Sequence, residues 1–179
     1  RDKLLVATIL SAQCTDKRVN MVTPLLFKTY PTIEKLSLAK FDELIKIIRS
    51  TGFYNNKAKN LISMAQYVIK EYQGIIPNNL SQLTQLPGVG RKTANVLLGN
   101  YHNIPAMVVD THVARISNLI GLSKSKSPEI IEMDLMNQFH PNEWTLLSHL
   151  FISLGRKVCI ARRPKCDICP ILEFCNFGS

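Results

Sequence analysis

Four of the five cysteines of this chain are crowded into one short segment near its C-terminal end: Cys159, Cys166, Cys169 and Cys175. Their spacing is C-x6-C-x2-C-x5-C, and disulfides between such close neighbours would close strained loops. Four thiolates can instead enclose one metal centre, either zinc or a [4Fe–4S] cluster. The spacing favours the iron–sulfur cluster, because zinc sites usually pair two C-x2-C knuckles and this segment has one. Zinc and disulfides remain open alternatives.

The chain is basic enough to suit a polyanionic partner. It has 22 Lys and Arg against 13 Asp and Glu, which gives a net charge of +9 over 179 residues. Such an excess is typical of proteins that bind nucleic acid or an anionic membrane surface, although a basic protein with neither partner is the alternative. No apolar run is long enough to span a bilayer, so we expect no membrane insertion.

Apolar residues recur at helical spacing along most of the chain, and no convincing run alternates as a strand does. The sequence therefore predicts an all-α protein with short connections. Asp16 is expected to cap the second helix, which runs towards Tyr30. Ser127 is expected to cap a later helix that has Pro128 at its first position. Further helices are predicted at 41–49, 55–72, 80–85, 91–101, 110–120, 129–139 and 142–157.

One predicted connection between helices, residues 86–94, reads L-P-G-V-G-R-K-T-A. Gly88 and Gly90 allow positive φ and let a large partner approach the backbone. Val89 between them can anchor the turn in the core. The amides around the two glycines, at the positive end of the following helix, would then make a seat for a phosphate. An ordinary helical hairpin without a ligand is the alternative, which the basic residues Arg91 and Lys92 make less attractive.

This run resembles the helix-hairpin-helix of the endonuclease III family of DNA repair glycosylases. The segments L-S-A-Q at 10–13 followed by Thr15-Asp16, G-F-Y-N-N-K-A at 52–58 and V-D-T-H at 109–112 resemble other signatures of that family. All of them occur in the family's order, as does the terminal cysteine spacing. The resemblance covers essentially the whole chain and implies a [4Fe–4S] cluster on the four cysteines. It also implies two helical lobes with a DNA-binding cleft between them.

The resemblance places a six-helix barrel module at 1–104, with its hairpin at about 80–99, and the cluster lobe at 105–179. Family members usually carry further helical segments before the position where this chain begins. We therefore expect that an N-terminal part is missing and that the chain opens inside a longer protein. We also expect a monomer in a reducing compartment, which would be nucleoid-associated cytoplasm in a bacterium and nuclear or organellar in a eukaryote.

The residue types allow covalent chemistry at a deoxyribose. An amine can displace a damaged base from C1′, form a Schiff base and permit β-elimination of the 3′ phosphate. Resemblance assigns this role to Lys92, whose ammonium must first lose a proton. We expect burial in the cleft, basic neighbours and a proton acceptor to assist that loss. Asp110 alone would be interpreted as a helix N-cap, but by resemblance it matches the catalytic aspartate. It could stabilise positive charge at the sugar or relay protons, and both roles stay open.

A base can be reached only if its nucleotide leaves the helical stack. By resemblance, Gln13 and Phe53 lie in loops that enter the duplex and fill the resulting gap. Between the first two cluster cysteines, Arg162, Arg163 and Lys165 form a tethered basic loop that we expect to contact phosphates. The remaining DNA contacts are expected at the hairpin, from Gly88, Val89, Gly90 and Arg91.

Three functions are compatible with these features. The first is a bifunctional enzyme that removes oxidised pyrimidines from double-stranded DNA and cleaves 3′ to the abasic site. The second is a monofunctional enzyme similar to adenine DNA glycosylases, in which the lysine position typically cannot form a Schiff base. The third is a module that binds DNA or transfers electrons without catalysis. The presence of Lys92 and the chain's end soon after Cys175 favour the first.

Overall fold

The computed structural model describes residues 2–176, and within them the regular structure is helical with no strand, which confirms the all-α prediction. None of the described helices is both long enough and apolar enough to cross a membrane. The described α-helices are α1 Asp2–Ser11, α2 Asp16–Thr29, α3 Ile33–Ser37, α4 Phe41–Ile48, α5 Tyr54–Tyr72, α6 Leu80–Leu83, α7 Arg91–Asn100, α8 Thr111–Leu119, α9 Pro128–Gln138 and α10 Trp144–Lys157.

The chain divides into two compact units, the first ending at Tyr101 and the second beginning at His102. In the first unit, α5 packs against α1, α3 and α4, while α7 packs against α1 and α6. The face of α5 that turns inward carries residues 57, 58, 61, 64, 65 and 68, all of them buried. Every member of this set except Lys57 is apolar.

The second unit is built around a smaller apolar core. Helix α8 packs against α9 and α10. Met107 and Val109, which lie just before α8, are buried in this core together with Phe151 of α10. The segment 106–109, which looks strand-like in the sequence, belongs to neither a helix nor a sheet. Its backbone is bound by α10 instead, since the Val108 amide donates to Ser148 Oγ over 2.9 Å.

The helix predictions differ from the structure mainly at the ends. Asp16 was predicted as the cap of α2, and this is wrong. Thr15 is the N-cap, since its side chain accepts from the Arg18 amide over 3.3 Å, while Asp16 is the first helical residue. Both residue types are good caps, so the pair T-D is ambiguous by one position. Ser127 does occupy the N-cap position of α9, with Pro128 at its first turn. Helix α3 was not predicted, because it has only five residues.

Candidate functional site

The turn between α6 and α7 uses its two glycines differently. Gly88 has φ +78°, and a Cβ built there would lie 2.8 Å from the Asn60 Cβ of α5. Gly90 is the N-cap of α7 with φ −87°, and a Cβ there would meet nothing within 4 Å. Gly88 is therefore required by the fold, whereas Gly90 leaves open space in front of the helix.

Val89 anchors the turn as predicted. Its side chain is buried, and its amide donates to the Leu86 carbonyl over 3.0 Å. That amide is thus occupied inside the turn and is not one of the candidate phosphate donors. The amides of Gly88 and Gly90 are the candidate phosphate donors of this turn, and the first turn of α7 adds the positive end of a helix.

Lys92 is the second residue of α7, and its side chain is exposed, as is that of Arg91. The Lys92 amine is therefore in contact with water in the free protein. The sequence places both basic side chains directly after the open space at Gly90, where the positive end of the helix also attracts an anion.

Asp110 is the N-cap of α8. Its Oδ1 accepts from the amides of His112 and Val113 over 2.8 Å and 2.9 Å. The N-cap interpretation of this residue is confirmed, and it does not conflict with a role in chemistry. Both amides bind the same oxygen, so the cap fixes the direction of the carboxylate and leaves Oδ2 for another partner.

The loops that carry Gln13 and Phe53 share an unusual backbone. Gln13 has φ 51° and Phe53 has φ 48°, so both lie in the left-handed region that favours glycine. Both side chains are exposed, Phe53 to 64%. A large aromatic side chain in strained backbone gains nothing for the fold when it points into water, and such strain is common at functional sites.

A buried lysine, Lys57, binds the chain close to both loops, and the sequence does not predict its role. Lys57 is only 4% exposed, and its Nζ donates to the carbonyls of Leu10 and Thr51, each over 2.8 Å. Burial lowers the pKa of this lysine, and the neighbouring Cys14 partly opposes that shift. The signal that could have found it is a lysine on the apolar stripe of α5, where an ionic group needs a dedicated partner.

In the second unit the four clustered cysteines line one cavity of about 130 Å³. None of the four forms a disulfide, all four are half-buried, and the rest of the wall is mostly apolar. Within residues 2–176 no three His, Cys, Asp or Glu side chains lie close enough together to hold one metal ion. Four sulfur donors around a cavity of this size fit a multi-atom cluster, and these cysteines would be its ligands.

Arg115 of α8 contacts the first of these cysteines. Its Nη1 donates to Cys159 Sγ over 3.0 Å, and its Nη2 donates to the Cys159 carbonyl over 2.6 Å. The guanidinium therefore offsets part of the negative charge that four thiolates would gather. The sequence pattern gives no sign of this contact, because Arg115 and Cys159 are 44 residues apart.

The segment between Cys159 and Cys166 is closed by backbone hydrogen bonds, and its anchoring by the cluster stays a prediction. The Lys165 amide donates to the Val158 carbonyl over 3.0 Å, and the Arg163 amide donates to the Ile160 carbonyl over 3.2 Å. These bonds close the segment into a compact loop whose basic side chains, including Arg162, are exposed.

Comparison with known proteins identifies the family. Residues 6–141 match the HhH-GPD superfamily of base excision DNA repair proteins, and residues 159–175 match the iron-sulfur binding domain of endonuclease III. The endonuclease III of Rickettsia felis is 48% identical over 97% of this chain and 82% of that protein. The chain belongs to the endonuclease III family. Its cofactor is a [4Fe–4S] cluster, and the four cysteines of segment 159–175 are the residues that would hold it.

Solved structures of endonuclease III share the fold. A non-covalent endonuclease III–DNA complex matches with a TM-score of 0.93 and 42% identity, over 98% of this chain and 82% of that one. A trapped endonuclease III–DNA covalent intermediate matches with the same score and identity, over 98% and 83%. The fold of this family is therefore retained across nearly the whole chain.

Proposed function

We propose that this chain binds double-stranded DNA and acts as a base-excision repair enzyme that removes oxidised pyrimidines and then cleaves the strand at the abasic site. The observation that carries the proposal is an exposed lysine, Lys92, in the first turn of the helix that follows the G-V-G hairpin. A protein of the same fold with 42% identity forms a covalent intermediate with DNA. Lysine is the residue type that forms an imine with the aldehyde of an opened sugar.

Lys92 would be the nucleophile. Because its amine faces water in the free protein, exclusion of water must come from the DNA itself when the duplex covers the hairpin. The first turn of α7 contributes a positive potential, which attracts a phosphate to the place beside this lysine. The hairpin then combines two tasks: its amides hold a phosphate, and the adjacent lysine reaches the sugar.

Asp110 would act on the charge that develops during the reaction. Its Oδ1 is held by two amides of α8, so the carboxylate has a fixed orientation before substrate arrives. Oδ2 can then stabilise positive charge at the sugar or accept a proton without a rearrangement of the helix.

The proposed DNA contacts fall into two groups. Phosphates would be held by Gly88, Gly90, Arg91 and the basic loop at 162–165, with Val89 keeping the turn rigid. Gln13 and Phe53 would fill the gap left by the extruded nucleotide. Contacts of this kind suit one protein molecule on one damaged site, so we propose a monomer that acts where the cell's genomic DNA lies.

A panel of damaged duplexes tests the substrate class. We expect excision of thymine glycol and 5-hydroxycytosine, each followed by strand cleavage, and no action on an undamaged duplex. Excision of adenine opposite 8-oxoguanine without cleavage would support the monofunctional alternative instead. Binding to all duplexes with no excision would leave only a DNA-binding module.

A further inference from the structure

One buried cation joins the ends of two separate elements. The Nζ of Lys57 donates to Leu10, in the last turn of α1, and to Thr51, which ends the 3₁₀ turn Arg49–Thr51. These carbonyls lie 47 and 6 residues from the lysine along the chain. The bond to Leu10 is therefore a long-range tertiary contact, whereas the bond to Thr51 is nearly local in the sequence.

Each carbonyl lies two or three residues before an exposed side chain on strained backbone. Gln13 follows Leu10 by three residues, Phe53 follows Thr51 by two, and both have positive φ. A left-handed backbone at a non-glycine residue persists only where the surroundings hold it in place. The Lys57 ammonium is an anchor that the two loops have in common.

We propose that Lys57 is a positioning residue for base extrusion, which holds the Gln13 loop and the Phe53 loop together as one two-pronged wedge. This inference rests on the proposed function, because a wedge is needed only if a nucleotide leaves the duplex. The wedge must be stiff, since a soft pair of loops would fold away rather than displace a stacked base.

A lysine at this position is costly for the fold alone. An apolar side chain would continue the stripe of α5, which includes Leu61 and Met64, without the penalty of burying a charge. Burial does lower the pKa of Lys57. What the ammonium provides and a methyl group does not is a charge-assisted hydrogen bond to each of two carbonyls from different loops.

The test compares Lys57→Met with Lys59→Met. Both remove one positive charge from α5, but Lys59 is exposed and serves as the matched control. At saturating DNA we expect Lys57→Met to slow excision of thymine glycol by on the order of 10²-fold, as small misplacements of positioning groups do. The dissociation constant for the same duplex should change much less. Lys59→Met should match the parent in both.

A spectroscopic readout separates positioning from loss of structure. The fluorescence of 2-aminopurine placed next to the lesion rises when the base stack opens. The parent and Lys59→Met should give this rise on binding. Lys57→Met should not give it, while its circular dichroism spectrum should show that the variant is folded. A folded Lys57→Met protein with the parent's fluorescence change and excision rate would overturn the proposal.

Lys57→Arg keeps the inference testable if the methionine variant does not fold. A guanidinium retains the charge and several donors, but its planar head would displace the loops, so we expect intermediate excision. The double variant Lys57→Arg, Phe53→Ala should lose no more excision rate than the more severe of the two single variants, because both residues act through the same wedge. Additive losses would overturn the inference. A parent protein that excises no oxidised pyrimidine would overturn the proposed function first.

Discussion

At the scale of single residues, the buried amine of Lys57 sets the sign of one pH effect. Its pKa in the folded protein lies below the ordinary value of 10.5, and burial is the main cause. Between the two values the unfolded chain binds more protons than the folded one, so stability rises with pH in that window. Below the lowered folded pKa the cost of the buried charge is constant.

The first prediction follows from this sign. As pH rises from neutral to about 10, the free energy of unfolding of the parent should increase relative to that of Lys57→Met. Urea melts at several pH values measure the difference. A Cys14→Ser background should be used for both proteins, because Cys14 is the titratable group that acts on Lys57. A difference that stays flat or falls with pH would contradict the burial of a charged lysine.

The sequence predicted roles that depend on neighbouring residues better than it predicted contacts between distant residues. Asp110 could be identified as a cap and as a candidate catalytic group, because caps depend on a few neighbouring residues. The bonds from Lys57 to Leu10 and from Arg115 to Cys159 were missed, since each joins residues more than forty positions apart. Periodicity shows which face of a helix is buried, but it does not show what a polar group on that face will meet.

At the scale of elements, the hairpin separates a structural glycine from a functional one. Gly88→Ala forces a Cβ onto positive φ and against Asn60, so we expect a loss of about 1–3 kcal/mol in the free energy of unfolding. Gly90→Ala should cost little stability, since its φ is ordinary and the space is open. It should nevertheless weaken DNA binding, because the new methyl group occupies the place proposed for a phosphate.

Thermal melts and binding titrations on the two alanine variants check this second prediction. Equal stability loss in both would show that the open space at Gly90 is needed for folding. Normal DNA binding by Gly90→Ala would remove the hairpin amides from the proposed interface.

The cysteine loop gives the third prediction. Purified parent protein should be yellow-brown with about four irons per chain. Cys169→Ser should lose most of that iron and destabilise the second unit, because the cluster would no longer join the separate cysteine positions of segment 159–175. Cys14→Ser, at a half-buried cysteine of the first unit, is the control and should keep its iron. Iron analysis and melting curves decide this, and a colourless parent with one zinc would contradict the cluster.

Helix existence and type could be predicted because apolar spacing and capping residues are local signals. The ends were less certain: α10 begins at Trp144 after a 3₁₀ turn, although a helix was predicted from 142. The strand-like run at 106–109 has the residue types of a strand. It joins no sheet, and its Val108 amide binds Ser148 of α10, a partner that sequence alone does not reveal.

At the scale of the whole molecule, the net charge of +9 should govern how binding responds to salt. Each phosphate neutralised by a cation contributes about 0.9 to the slope of log K against log salt. Arg163→Glu combined with Lys165→Glu should therefore flatten the slope by about two and weaken binding to damaged and undamaged duplex alike. Turnover at saturating DNA should change much less.

Lys28→Glu combined with Lys35→Glu is the matched control for this fourth prediction. Both lysines are exposed in the first unit, and the double change alters the net charge equally. We expect a smaller change in slope from it, because neither residue lies in the hairpin or the basic loop. Equal slopes for both double variants would mean that overall charge, rather than the loop at 162–165, drives binding.

The division into two units could be predicted only from the resemblance of the sequence to the endonuclease III family. The hairpin lies in the unit that ends at Tyr101, and the four cysteines lie in the unit that begins at His102. No composition shift marks that boundary. The predicted boundary at 104 and the six-helix barrel assignment stay predictions.

Borohydride trapping tests the central claim, that Lys92 attacks the sugar, most directly. Sodium borohydride reduces an imine between protein and DNA to a stable bond, and peptide mapping then locates the attached residue. We expect the parent to be trapped on an abasic duplex at Lys92. Lys92→Gln should bind the same duplex, since the hairpin amides remain, but should be neither trapped nor able to nick it. Trapping of Lys92→Gln at parent yield, through another lysine, would contradict the account.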